Sequence, residues 1–165
     1  MRAESAPGSA VDLRENALGI CTEAQADRFN KEMLLFYAAG IPTYVLMAEL
    51  ATNIVLTGEL ARPEYPEALA FEAARRWRAD AVASLAYAEA ALHNRGDRLV
   101  CVANASRGLI EEAYCRLAER REWVLNEKGM IESAGLTNEA DILCGASSGD
   151  ELSDALRAIS RTLFG

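Results

Sequence analysis

Apolar residues along this chain recur at three- and four-residue spacing and almost never alternate. The pattern predicts helices that each present one stripe to a common core. From about Glu23 to Ala39 the stripe is Phe29, Met33, Leu34, Phe36 and Tyr37, with Asp27 and Lys31 four apart on the wet face. Gly40-Ile41-Pro42 closes that helix, because glycine accepts a left-handed cap and proline cannot continue the hydrogen-bond ladder. A second helix is predicted over about Thr43 to Thr57, stopping at Gly58. It is apolar nearly all round (Tyr44, Val45, Leu46, Met47, Leu50, Ile54, Val55, Leu56), which predicts a central, buried position. Glu49 and Asn53 interrupt it on one face, either as a solvated strip or as the polar lining of a cleft.

The connector over 58–66 contains Pro63 and Pro66, and Pro66 is placed to be the first residue of the next helix. That long third helix runs from Glu67 to about Asn94 on Leu69, Phe71, Ala74, Trp77, Ala81, Leu85, Ala88 and Leu92, and Gly96 ends it. A fourth, capped by Asp97, reaches about Glu122 through Val100, Cys101, Ala103, Leu109, Ile110, Ala113, Tyr114 and Leu117. Glu127 to Ala134 reads as a short helix ended by Gly135, Gly145 to Gly149 as a flexible loop, and Asp150 to Phe164 as a last amphipathic helix on Leu152, Leu156, Ile159 and Leu163. Residues 1–22 are polar, small and aperiodic, which predicts a loose segment before a single helical domain over 23–165. The fold class that follows is all-α: an up-and-down bundle of four main helices with short C-terminal helices appended.

Composition agrees with that reading. Of the 165 residues, 51% are hydrophobic and only 7% aromatic, which suits close-packed alanine-rich helices better than a sheet. The formal net charge of −8 argues against a nucleic-acid coat, while local basic clusters can still hold one phosphate group. Cys21, Cys101, Cys115 and Cys144 form no CxxC pair, no apolar core follows a basic start in residues 1–22, and no apolar run approaches the length of a membrane span. The expectation is a cytoplasmic protein with free thiols. His93 is the only histidine, which disfavours a classical zinc site, and no metal ligand is assigned.

Three constellations carry candidate chemistry. Glu72 and Arg76 are four apart beside Trp77. They read either as a surface ion pair next to a core tryptophan, or as a general base for a substrate hydroxyl with a phosphate contact. Arg107, Glu111 and Tyr114 fall on adjacent turns, with Glu112 and Arg116 as a second i,i+4 pair, which reads as a charged outer face. Asn104 and Ser106 in mid-helix compete with the backbone for hydrogen bonds and point instead to a polar interior or a partner surface. The third is Trp123-Val124-Leu125-Asn126-Glu127-Lys128-Gly129. There Asn126 and Glu127 suit the start of a helix, whereas Lys128 opposes its dipole and suits an anionic ligand.

Ala39-Gly40-Ile41-Pro42-Thr43-Tyr44, Tyr65-Pro66-Glu67-Ala68-Leu69, Arg76-Trp77-Arg78 and the Trp123 heptapeptide carry a resemblance. Over about Phe29 to Leu136 the chain resembles the C-terminal helical domain of small bacterial nucleotidyltransferases of the minimal, DNA-polymerase-β-like kind. The order Phe71, Glu72, Arg76, Trp77, Arg78 is similar to one in the kanamycin nucleotidyltransferases. The resemblance implies an acceptor-side domain in which Glu72 serves as general base. It also implies that Arg76 with Lys128 contacts phosphate or substrate, and Trp77, Arg107, Glu111, Trp123 and Asn126 are the further candidate substrate- or phosphate-binding residues. The family's catalytic half needs a Gly-Ser turn followed by an Asp-x-Asp pair for Mg²⁺, and Gly8-Ser9 is followed by no such pair.

The expectation is therefore a transferase-like domain without activity on its own. It would use Mg²⁺ and a nucleoside triphosphate only through a separate catalytic domain or subunit, with a small-molecule acceptor as the other ligand. The alternative is a stand-alone interaction or dimerisation module of the HEPN-like type. HEPN ribonucleases need an Arg-x4–6-His motif, and His93 has no arginine at that spacing, so this reading is without ribonuclease activity. Neither reading involves a membrane, and the second predicts a homodimer.

Overall fold

The computed structural model of the chain describes residues 31–32, 37–60 and 62–165. The described chain is all-helical apart from one two-residue ladder, β1 (Lys31–Glu32) paired antiparallel with β2 (Ile41–Pro42). The helices are α1 (Val45–Thr52), α2 (Glu67–Arg95), α3 (Arg98–Glu119), α4 (Met130–Ser133), α5 (Thr137–Gly145) and α6 (Gly149–Phe164). No described helix is long and apolar enough to cross a membrane.

α2 and α3 form an antiparallel hairpin and the most extensive pairing in the fold. The turn between them is two residues long. Gly96 takes the left-handed conformation at φ 63° and donates to Ala91 and Leu92, while the Asp97 carboxylate accepts from the Val100 amide and starts α3. Trp77 of α2 stacks on Tyr114 of α3 with ring centroids 4.4 Å apart and planes 11° from parallel. At Gly108 the backbones approach so closely that an added Cβ would lie 2.9 Å from Leu85 Cγ and 3.3 Å from the Ala81 carbonyl oxygen. Against this pair α6 lays Leu152, Leu156, Ile159 and Leu163, the four residues that its pattern predicts to be buried.

The differences from the sequence expectation have local causes. The first predicted helix lies mostly outside the described residues, as does the segment 1–22, but Lys31–Glu32 is strand and no helix covers Tyr37 to Ala39. α1 stops at Thr52 rather than Thr57, because Thr52 Oγ1 and Asn53 Nδ2 take the Ala48 and Leu50 carbonyls at 2.7 Å each. Beyond it Ile54 and Leu56 are 85% and 92% exposed, so the second helix is neither as long nor as buried as its composition suggests. Pro66 caps α2 from outside, at ψ 140°, instead of opening it. The predicted short helix begins at Met130, with Gly129 rather than Asn126 as its cap.

α5 has no counterpart in the expectation, and the predicted flexible loop is only a three-residue link between two helices. That link holds a capping box: Ser148 Oγ accepts from the Glu151 amide, and Glu151 accepts in return from the Ser147 and Ser148 amides.

Because Leu85 and the Ala81 carbonyl leave no room at position 108, Gly108→Ala forces the two main helices apart. It is expected to destabilise the fold by about 1–3 kcal/mol in urea titrations, against the ordinary stabilising effect of alanine in a helix.

Candidate functional site

Glu72 sits on the first turns of α2, 7% exposed, and its carboxylate accepts from Arg75 Nε at 3.0 Å, Arg75 Nη2 at 2.8 Å and Arg76 Nε. The hydrogen bonds from Arg75, with those and the charge of Arg76, hold its pKa down at about 2, against an ordinary 4.5. A carboxylate held that low accepts a proton poorly, so this geometry makes Glu72 an anchor for two guanidinium groups. Trp77 is fully buried and donates through Nε1 to Tyr44 Oη at 3.2 Å, which makes it a core residue.

Spacing alone suits Glu111 and Glu112 to an outer face, whereas the fold buries them in a polar interior, the alternative to which Asn104 and Ser106 point. Both are 0% exposed. Glu111 accepts from Ser84 Oγ of α2 at 2.6 Å and from Arg107 Nε at 3.0 Å. Glu112 accepts from Arg116 Nε and Arg78 Nη1, each at 3.0 Å, while its second oxygen is buried with no hydrogen-bond partner. Burial pushes the Glu112 carboxyl up in spite of the two guanidinium groups, and it pushes the neighbouring Cys115 thiol up to about 11. Tyr114, also read as part of that face, is buried against Trp77 and its phenol is pushed upward by desolvation. Spacing along one helix identifies the i,i+4 partners correctly, but says nothing of the covering arginine and serine from α2.

The Trp123 heptapeptide is a clasp. The Trp123 indole donates to the Pro63 carbonyl at 3.2 Å and packs on Tyr65 at 4.3 Å and Tyr44 at 6.2 Å between ring centroids. Asn126 Oδ1 accepts from the Lys128 amide at 2.9 Å. The Glu127 carboxylate accepts from the Ala38 and Ala39 amides at 3.1 and 3.0 Å, and Gly129 turns the chain at φ 69°. Lys128 alone is not absorbed: among the described residues no carboxylate pairs with its ammonium. It lines a cleft of about 240 Å³ with Trp123, Asn126, Thr52 and Glu122, the last already paired with Arg120 at 3.2 Å.

The fold thus unites Glu72 with Arg76, Arg107 with Glu111, and Trp123 with Asn126 and Lys128. The lining of the Lys128 cleft includes none of the other four. Two larger concave regions, each about 560 Å³, lie elsewhere. One runs along Phe71, Arg75, Arg78 and Arg121, and its arginines are engaged within the chain: Arg78 with Glu112 and Glu119, Arg121 with the Tyr65 carbonyl at 2.7 Å. Arg121 is the one non-glycine residue with positive φ among the described residues, at 58°, and ends α3 with a left-handed cap. Sequence reasoning missed it, since a glycine is the usual signal there. The other region lies between His93, Arg98 and Arg157, where Glu89 and Asp150 balance the cations.

Among the described residues, no group of three His, Cys, Asp or Glu side chains is placed to hold a metal ion. Their donor set does not fit a magnesium–triphosphate centre. Comparison of the chain with known families, with curated proteins and with solved structures finds no match.

Because the Glu72 pKa is lowered on folding, its ion pairs stabilise the protein fully above about pH 4.5 and cease to do so as pH falls toward 2. Glu72→Gln is expected to be less stable than the parent at neutral pH, the two converging in urea midpoint as pH drops from 4.5 to 2.

Proposed function

We propose that the chain works as a helical interaction module, acting through a protein partner rather than catalysing by itself. The observation that carries this is the segment after α1. Ile54 and Leu56 project into solvent at 85% and 92% exposure, and Val55 and Leu60 are also exposed. Scattered exposed apolar residues are ordinary, but four within seven positions form an edge that water solvates poorly. Glu49, Glu59, Glu64 and Glu67, all exposed, supply carboxylates along the same stretch. The complementary surface is an apolar groove rimmed by lysine or arginine. The sequence resemblance supplies the first partner to test, the catalytic domain of a minimal nucleotidyltransferase. The engagement of Glu72 by Arg75 and Arg76 supports placing the proton-accepting group outside this chain.

A second reading concerns the Lys128 cleft. An ammonium without a carboxylate partner among the described residues, beside the Trp123 indole and the Asn126 amide, suits a small anionic acceptor or a phosphate group. The two readings are compatible, since an acceptor-side domain needs both a partner and a ligand.

Co-expression with such a catalytic domain followed by size-exclusion chromatography is expected to give a one-to-one complex that Leu56→Asp abolishes with the helical circular dichroism unchanged. Failure to form a complex, or a complex indifferent to Leu56→Asp, counts against the loop as the docking element. Calorimetric titration with inorganic phosphate and with ATP is expected to show binding that Lys128→Ala weakens by about tenfold, the loss of one charge-assisted contact of roughly 1.4 kcal/mol. Equal binding by parent and variant removes the cleft.

A further inference from the structure

The cavity of about 560 Å³ between the end of α2, the start of α3 and the first turns of α6 is used by neither reading above. Its size lies within the roughly 300–1,000 Å³ range of small-molecule sites. Leu92 of α2 and the buried Leu156 of α6 give it an apolar floor. Gly96 and Gly149 border it with bare backbone, and a Cβ added to either would meet no atom within 4 Å. The same lining carries charges of both signs, Arg98 and Arg157 against Glu89 and Asp150, together with the His93 imidazole. Opposite charges that share a cavity ordinarily pair across it, and here they do not. Among the described residues Asp150 and His93 make no ion pair or hydrogen bond, and neither guanidinium reaches a carboxylate of the lining. Arg157 turns to Asp154, which lies outside the lining, and Arg98 to the Ser147 carbonyl. Each of these ties uses one nitrogen, so each guanidinium keeps further N–H donors. Glu89 has only the long contact from Ser160 Oγ at 3.4 Å.

We infer that this cavity binds a small zwitterion of about dipeptide size. Its ammonium is taken by the carboxylate of Asp150, its carboxylate by the donors of Arg157, Arg98 and His93, and its aliphatic side chain by the leucine floor. Charge excludes the simpler ligands. A lone anion gains from the guanidinium groups but is set against Asp150 and Glu89, and a lone cation meets the reverse. A nucleotide or a phosphorylated sugar brings two or more negative charges to the same two carboxylates. A zwitterion satisfies both sets at once, and it does so in a cleft where charge-assisted hydrogen bonds are worth more than on an open surface. Engagement of both ends also sets the length, because the termini of a long chain do not lie together in one cavity. The site is separate from the Ile54–Leu56 edge and from the Lys128 cleft, so it stands or fails without either.

Ligand-observed nuclear magnetic resonance with three probes separates the two charges: leucyl-alanine, its N-acetyl derivative without the ammonium, and its C-terminal amide without the carboxylate. The dipeptide is expected to bind, and each derivative to bind about tenfold more weakly or worse. Two exposed side chains then assign the ends. Asp150→Asn is expected to weaken the dipeptide and the amide by about threefold or more and to leave the N-acetyl form unchanged. Arg157→Gln is expected to weaken the dipeptide and the N-acetyl form to the same extent and to leave the amide unchanged. A variant that acted only through the fold would shift all three probes alike, so that pattern overturns the assignment. A dipeptide that does not bind at about 10 mM overturns the site. Either derivative binding as tightly as the parent dipeptide reduces it to the capture of a single charge and overturns the zwitterion.

Discussion

The close approach of α2 and α3 is the constraint on which the rest of the molecule depends. Gly108 has no side chain because Leu85 and the Ala81 carbonyl fill the space where one would lie. Alanines at 73, 81, 88, 105 and 113 keep the two backbones close along the contact. Across the same interface Trp77 of α2 stacks on Tyr114 of α3. Tyr44, Tyr65 and Trp123 extend that aromatic cluster and draw in the start of α1, the connector before α2 and the segment after α3. α6 then needs only its aliphatic row to seal one side.

A narrow interface between alanine-rich helices has a consequence for charge. Where two alanine-rich helices pack this closely, glutamates on the inner edge of α3 are taken out of water and must be met by donors from α2 and from α3 itself. Ser84 and Arg107 meet Glu111; Arg78 and Arg116 meet Glu112. A buried carboxylate left unpartnered costs several kcal/mol, whereas a paired one fixes how two helices slide past each other. In this chain the guanidinium groups therefore serve chiefly as internal ties. Arg121, whose backbone adopts a conformation that glycine usually takes, belongs with them: its guanidinium holds the Tyr65 carbonyl and with it the entry to α2.

Much of the fold was legible along the chain. α2, α3 and α6 lie within a few residues of where periodicity, Asp97 and Gly96 place them, because long amphipathic segments with defined caps leave little choice. α1 was overextended because a run of apolar residues cannot by itself distinguish a buried helix from a helix followed by an exposed loop. α5 was missed because its nine residues present too few turns to establish a stripe. Among the candidate site residues, the i,i+4 pairs Glu72–Arg76 and Arg107–Glu111 form as spacing requires. Whether each pair faced water, a ligand or the core was not legible, since that depends on which other helix lies over it.

The sequence by itself determined the class of fold, the long helices and their caps, and the local ion pairs, all of which are settled within two or three helical turns. Tertiary structure decided the rest, because burial is a property of the covering element and not of the residue. It sent Glu111 and Glu112 inward and Phe71 outward, and turned most of the Trp123 heptapeptide into a clasp. Among the described residues it also left Lys128 and the Ile54–Leu56 edge outside the contacts that hold the bundle together.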